Sequence, residues 1–296
     1  MTGHVSRARR ALMYVPGNDE RKIAKAAGLN VDGVILDLED GVAANRKDEA
    51  RLGILKALQS VEFGRSERLV RINSLVSGRA QGDLLAVMPG KPDAVLVPKA
   101  DSAEIVQEID SLVSEMEQDL DIESGRTAII LTIESAKAFL NLQQICSSSQ
   151  RIEGLVFGAE DFTADTGITR TLEARELLYA RSRLVMHAAA FGLNAIDMVQ
   201  TNFSDLELLQ KECREGAELG FTGKQVIHPA QIEIVQAAFA PSAKLIEYAR
   251  RVMDAAQEAM NEGKGAFTLD GQMVDTPVIK RAEKILARAR AAGVLD

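Results

Sequence analysis

The 296-residue sequence contains no tryptophan, and aromatic residues make up only 4% of it. Its core must therefore be built from Leu, Ile, Val and Ala rather than around large rings. Cysteine is almost absent: Cys146 and Cys213 are the only two, far apart and in no CxxC pair. That excludes a disulfide framework and a structural zinc site, and it suits a reducing compartment. His4, His187 and His228 are the only histidines, and no two stand at ligand spacing. A histidine-rich transition-metal site is excluded as well. No run approaches the ~20 apolar residues of a membrane helix. The net charge of -8 excludes a uniformly basic nucleic-acid binder but leaves room for a local basic patch. Neither a membrane nor a nucleic acid is expected as a partner. Arg7, Arg9 and Arg10 lead straight into an apolar run with no hydrophobic signal core. A bacterial cytoplasmic protein is expected, or a mitochondrial matrix protein once a leader has been removed.

What the sequence does have is a recurrence. A short apolar run is followed by polar or acidic residues and then by a helical pattern. The runs are 11–15, 34–38, 69–72, 94–97, 128–133, 155–157, 195–199 and 224–227. Each has the length of a strand, and most are rich in Val, Ile or Leu. Helical spacing is read over 20–27, 45–58, 102–116, 135–145, 172–191 and 205–219, with Gly192 and Gly220 as stop signals. Eight βα units at this length predict a closed (β/α)₈ TIM barrel. The competitor, a doubly wound open sheet, is disfavoured because no GxGxxG turn is present. The barrel is expected over 1–230. A C-terminal helical arm is expected over 231–296, with one long helical run over 230–261, a loop at 263–267 and a last helix ending near Ala292.

In such barrels the chemistry sits where the strands end. The strand ends here carry Pro16-Gly17-Asn18, Asp37-Leu38-Glu39-Asp40, Arg71-Ile72-Asn73, Pro98-Lys99, Glu134-Ser135, Gly158-Ala159-Glu160-Asp161, Asp197 and His228-Pro229. Carboxylates crowded at one mouth repel each other unless a cation lies between them. Glu134 and Asp161 close consecutive strands and make a two-oxygen set that suits Mg²⁺, which keeps waters and accepts substrate oxygens. The alternative is that these acids are loop caps and surface ion pairs. Arg71 either grips a substrate carboxylate bidentately or pairs with a rim acid. Lys99 is a lesser candidate for the same role, and His228 reads as a loop anchor. Arg21, Lys22 and Lys25 form a basic cluster that is either a grip on ligand phosphates or a solvated helix face. Gly220-Phe221-Thr222-Gly223-Lys224 is not a phosphate loop, because the required earlier glycine and the final Ser or Thr are missing.

These strand-end stretches also carry a resemblance. Tyr14-Val15-Pro16-Gly17-Asn18, Asp37-Leu38-Glu39-Asp40-Gly41-Val42, Arg71-Ile72-Asn73, Glu134-Ser135 and Phe157-Gly158-Ala159-Glu160-Asp161-Phe162 occur in order. Gly220–Pro229 and Met273-Val274-Asp275-Thr276-Pro277 complete the set. Together they resemble the citrate lyase β-subunit-like group of the HpcH/HpaI aldolase superfamily over nearly the whole chain. Gly41-Val42-Ala43-Ala44-Asn45 and Gly263-Lys264-Gly265-Ala266-Phe267-Thr268 look most like the branch that cleaves citramalyl-CoA.

The resemblance implies a homotrimeric barrel with Mg²⁺ and a CoA thioester substrate. It assigns Glu134 and Asp161 to the metal and Arg71 to substrate binding. Tyr14, Arg21 and Lys25 are assigned to the CoA thioester, as are Gln225 and Val226. Asp275 becomes the acid/base group, donated by a neighbouring subunit. Glu39 and Asp40 are expected beside the metal's waters. The implied reaction is retro-Claisen cleavage of citramalyl-CoA to acetyl-CoA and pyruvate, with malate synthase-type side activity. The alternatives are cleavage of malyl-CoA to acetyl-CoA and glyoxylate, action on citryl thioesters within a citrate lyase complex, and a non-catalytic CoA-binding scaffold.

Overall fold

A computed structural model describes residues 7–261 and 263–295, so His4 lies outside the described residues. Eight parallel strands close into a barrel in chain order. They are β1 Ala11–Pro16, β2 Gly33–Asp37, β3 Glu67–Arg71, β4 Ala94–Val97, β5 Ala128–Ile133, β6 Ile152–Phe157, β7 Asn194–Asp197 and β8 Gly223–Val226. Closure is made by β1, which pairs with β2 through Leu12↔Gly33 and with β8 through Leu12↔Gln225. The expected (β/α)₈ barrel is thus the observed fold. Strands β2, β4, β5 and β8 are buried at every residue; β4 and β5 accordingly read as nearly unbroken apolar runs, whereas β2 ends in Asp37 and β8 buries Lys224 and Gln225.

The barrel is filled, not hollow. Leu12, Ile35, Leu69, Leu96, Ile130, Val156 and Ile196 meet inside it. Side chains two residues apart on a strand share a face. The residues that follow this layer by two are Tyr14, Asp37, Arg71 and Thr132, and Glu134 follows by four. The apolar core therefore decides which side chains point inward at the C-terminal mouth.

The helices are α1 Glu20–Ala27, α2 Lys47–Ser60, α3 Ala80–Val87, α4 Ala103–Asp119, α5 Ala136–Leu140, α6 Leu142–Cys146, α7 Ala159–Thr166, α8 Leu178–Phe191, α9 Leu206–Leu219, α10 Ile232–Phe239, α11 Ala243–Asn261 and α12 Thr276–Ala291. Helices α3 and α7, eight residues each, were not expected from the sequence. The helix read over 135–145 is split at Asn141, which closes α5 through its own N–H. The run read over 230–261 is interrupted at 240–242, where Pro241 lacks the N–H a helix needs. None of the helices is long and apolar enough to cross a membrane.

Two compact units are present. The barrel and α10 up to Ala238 fall in Arg9–Ala238, and the other unit holds Phe239 onward together with the residues before Arg9. In the latter, Ile246, Ala249 and Val252 of α11 pack with Ala282, Leu286 and Ala289 of α12. Between the two helices lies a hairpin, β9 Phe267–Leu269 and β10 Gln272–Val274. Its turn residues Asp270 and Gly271 both have positive φ, 51° and 76°, as a two-residue hairpin loop requires. Asp275 caps α12, its Oδ1 accepting from Val278 N at 3.4 Å.

Candidate active site

A cavity of about 640 Å³ opens at the C-terminal ends of the strands. Its wall brings together Tyr14, Lys25, Asp40, Arg71, Glu134, Asp161 and Gln225 from the residues expected to matter. Asp37, Thr132 and Gly158 line it too.

Arg71 is held in a fork. Its Nε and Nη2 donate to the two carboxylate oxygens of Asp37, each at 2.7 Å. Its Nη1 reaches Glu39 Oε2 at 2.9 Å, and its guanidinium lies over the Tyr14 ring, 4.9 Å from the centroid. Hydrogens on both Nη atoms remain available to a ligand. Asp37 also accepts from the backbone N–H groups of Glu39 and Gly41, both at 2.8 Å. Gly41 must be glycine, since a Cβ there would stand 2.5 Å from Asp37 Oδ2. Arg71 thus pairs with rim acids and still presents donors to the cavity. Glu39 is pushed up to about 7 by burial, with repulsion from Asp40 and Asp37 outweighing part of the attraction to Arg71. Asp37, which anchors the fork, was not singled out from the sequence. Its register partner on β3 is Arg71 itself, a pairing that only the closed sheet reveals.

Glu134 directly follows β5, in a buried position. Burial first, and then the neighbouring Asp161 carboxylate, push its pKa up to about 8, against a hydrogen bond from the Lys99 backbone N–H at 2.7 Å. Lys99 donates that N–H from a left-handed backbone, φ 53°, and its side chain is exposed. It therefore serves the site through its main chain and not as a carboxylate grip. Gly158 makes the approach of β6 to Glu134 possible, because a Cβ on it would lie 2.5 Å from both Glu134 Cβ and Oε2. Asp161 stands half-buried in the first turn of α7, with no hydrogen bond to it among the described residues. Glu134, whose charge the Asp161 carboxylate disfavours, and Asp161 both line the cavity, and two carboxylates there fit a hard divalent cation. Among the described residues no three His, Cys, Asp or Glu gather closely enough to hold a metal by themselves.

Tyr14 donates its hydroxyl to Gln225 Oε1 at 2.9 Å. The Gln225 amide is locked in turn, because its Nε2 donates to the carbonyls of Phe157 and Asp197 at 2.9 and 3.1 Å. The acceptor end of the amide can then face only Tyr14. Burial raises the Tyr14 pKa well above its usual value, so the phenol stays protonated and orients Arg71 with its ring.

The remaining candidates are placed as follows. Lys25 is exposed at the cavity wall, and Arg21 lines an adjoining cavity with Asp19 and Arg46. Val226 is fully buried and does not line the cavity. His228 anchors its loop: its Nδ1 accepts from Ala230 N, while Gln231 Oε1 accepts from His228 N. Lys224 is buried against Glu212 at 3.0 Å, which no phosphate-binding lysine could be. Asp275 belongs to the second unit.

Residues 10–229 match the family model described as HpcH/HpaI aldolase/citrate lyase. The mitochondrial citramalyl-CoA lyase of Homo sapiens is 43% identical over 291 residues, which span 95% of this chain and 85% of that protein. The citrate lyase subunit beta of Leuconostoc mesenteroides subsp. cremoris is 38% identical over 98% of this chain and 96% of its own length. The crystal structure of CitE from Mycobacterium tuberculosis, in complex with magnesium, acetoacetate and coenzyme A, has a TM-score of 0.73 and 34% identity, covering 96% of this chain and 97% of that one.

Proposed function

The chain belongs to the HpcH/HpaI aldolase/citrate lyase family, and from that premise we propose that it is a magnesium-dependent carbon–carbon lyase that cleaves citramalyl-CoA to acetyl-CoA and pyruvate. The observation that carries the reading is the mouth of the barrel: a buried Glu134 beside Asp161, facing an Arg71 that keeps free donors. The 43% identity to a citramalyl-CoA lyase favours this ester among those the family handles.

Glu134 and Asp161 would hold the magnesium ion, which would supply Lewis-acid chemistry at this mouth. The bond broken joins the hydroxyl-bearing carbon to the CH₂ next to the thioester. The hydroxyl passes its proton to water, its carbon becomes the keto carbon of pyruvate, and the CH₂ leaves as the enolate of acetyl-CoA. Arg71 places its remaining Nη hydrogens against the substrate oxygens as their charge changes. Asp37, Glu39 and Tyr14 fix the guanidinium in that position, so little reorganisation is needed. Asp275 of a neighbouring copy in a homotrimer gives the enolate carbon its proton. Lys25 and Arg21 hold the phosphates of the CoA arm, and Gln225 keeps Tyr14 beneath the thioester. Asp40, on the same cavity wall, would hold water beside the two carboxylates.

Malyl-CoA lacks one methyl group, which is worth only ~1–3 kcal/mol of discrimination. It is the expected second substrate. Action on citryl thioesters within a complex is the second reading, favoured by the 38% identity to a citrate lyase subunit beta. The test is a coupled assay of keto-acid release by the purified chain, with and without Mg²⁺. Metal-dependent pyruvate release with a higher kcat/KM than glyoxylate release supports the proposal. Preference for malyl-CoA keeps the chemistry and replaces the substrate. No release from either free ester favours the carrier-dependent subunit.

A further inference from the structure

Asn73 closes the Arg71-Ile72-Asn73 stretch, and nothing above gives it a role. It is buried just past β3. Its Nδ2 donates to the Leu38 carbonyl at 3.0 Å, and its Nδ2 and backbone N both donate to Asp83 Oδ2 at 2.7 Å. Asp83 is fully buried in the first turn of α3, and Arg51 Nε donates to its other oxygen at 2.8 Å. The Leu38 carbonyl has a second donor. Lys47 Nζ reaches it at 2.6 Å and reaches the Glu39 carbonyl at 2.7 Å. Helix α2, helix α3 and the end of β3 thus converge on the backbone that follows Asp37.

Lys47 is the unexpected member. It is the first residue of α2 and is followed by Asp48 and Glu49. The positive end of the helix dipole disfavours a cation there and favours the two acids after it. Half-burial disfavours the ammonium further and lowers its pKa. Neither the helix nor the burial calls for a lysine. Water could satisfy two carbonyls at a half-exposed rim. What lysine adds is a fixed point and a positive charge, set among Asp37, Glu39, Asp40 and Asp83. Asp37 lies in β2 and is held by the sheet, but Glu39 stands two residues beyond the end of that strand. Its carboxylate meets Arg71 Nη1 at 2.9 Å only while its backbone stays in place.

We infer that Lys47 is a positioning residue: together with Asn73 and Asp83 it locks the Leu38-Glu39 backbone, so that Glu39 holds the Nη1 side of Arg71. Lys47, Asn73 and Asp83 do not line the cavity, so they act on it through that backbone and not by touching a ligand. The lock itself needs no substrate. Its consequence for turnover rests on the proposed lyase reading.

The test compares wild type with Lys47→Met, Glu39→Gln and the double variant. Two readouts are used: keto-acid release, and hydrogen–deuterium exchange followed by mass spectrometry. Methionine keeps most of the length and loses the donors. In Lys47→Met, kcat is expected to fall about tenfold with KM within about twofold, because Arg71 acts on charge that develops in the transition state. Exchange is expected to quicken over 38–43, where the Glu39 and Gly41 N–H groups donate to Asp37, and to stay unchanged at the other strand ends. Adding Lys47→Met to Glu39→Gln is expected to lower kcat by less than about twofold more, since both changes release the same contact. Full kcat in Lys47→Met overturns the inference. An equally large further loss in the double variant also overturns it, because Lys47 then acts elsewhere than through Glu39. Faster exchange throughout the barrel overturns it too, because Lys47 then serves only general stability. If wild type releases keto acid from neither ester, the lyase reading fails and exchange alone decides. Quickening confined to 38–43 then supports the lock, and unchanged exchange there overturns it.

Discussion

Glu134→Gln should stabilise the metal-free protein while removing its metal site. Glu134 titrates at about 8 instead of its ordinary 4.5, through burial and then the charge of Asp161. In the window between those values the folded chain binds the proton more tightly than the unfolded chain does. Stability contributed by the protonated group is full below 4.5 and is lost as pH rises through about 8. A carboxylate forced to ionise there costs about 3–5 kcal/mol, reckoned from the size of the shift. Glutamine has the same shape, keeps an oxygen for the Lys99 N–H, and does not ionise. In EDTA, the melting temperatures of wild type and variant should coincide near pH 4.5. At pH 9 the variant should melt about 5–10 °C higher. Added Mg²⁺ should raise the wild-type melting temperature and leave the variant unmoved. Thermal melts followed by circular dichroism across this pH range check all three statements. A variant no more stable than wild type at pH 9 without metal refutes the reasoning, because Glu134 would then carry no strained charge for a cation to relieve.

Three further outcomes are expected. Arg71→Lys keeps the charge but loses the two-point grip on Asp37 and the stacking on Tyr14; kcat for ester cleavage should fall about 100-fold, with the melting temperature little changed. Gln225→Leu leaves the Phe157 and Asp197 carbonyls and the Tyr14 hydroxyl without partners, and denaturant melts should show a loss of about 2–4 kcal/mol. Asp275→Asn should abolish turnover while calorimetry still finds Mg²⁺ and CoA binding, and an active Asn variant would remove Asp275 from the mechanism.

Much of the barrel was legible because parallel strands buried on both faces must be written as short apolar runs. The strand ends were legible for a related reason: a charged or glycine-rich residue directly after such a run has nowhere to go but the rim. Glu134, Asp161 and Arg71 could be picked out that way, and the cavity wall holds all three. Short elements were less legible. The eight-residue helices α3 and α7 were not read, and the Asp270-Gly271 hairpin lies just past the loop read over 263–267, where no element was expected. The break at Pro241 followed from elementary backbone chemistry, yet the helical spacing on both sides masked it.

The sequence by itself determined the class of fold and the chemistry available at its mouth, since both depend on neighbours along the chain. Tertiary structure alone decided who meets whom. Asp37 and Arg71 are 34 residues apart, and they face each other because β2 and β3 pair in one register. Lys99 gives a backbone N–H to Glu134 from 35 residues away, and Gly158 clears the space for that carboxylate from the next strand. The raised pKa of Glu134 exists only once the barrel has closed around it and excluded water. Desolvation is a property of the assembled neighbourhood, and no stretch of sequence carries it.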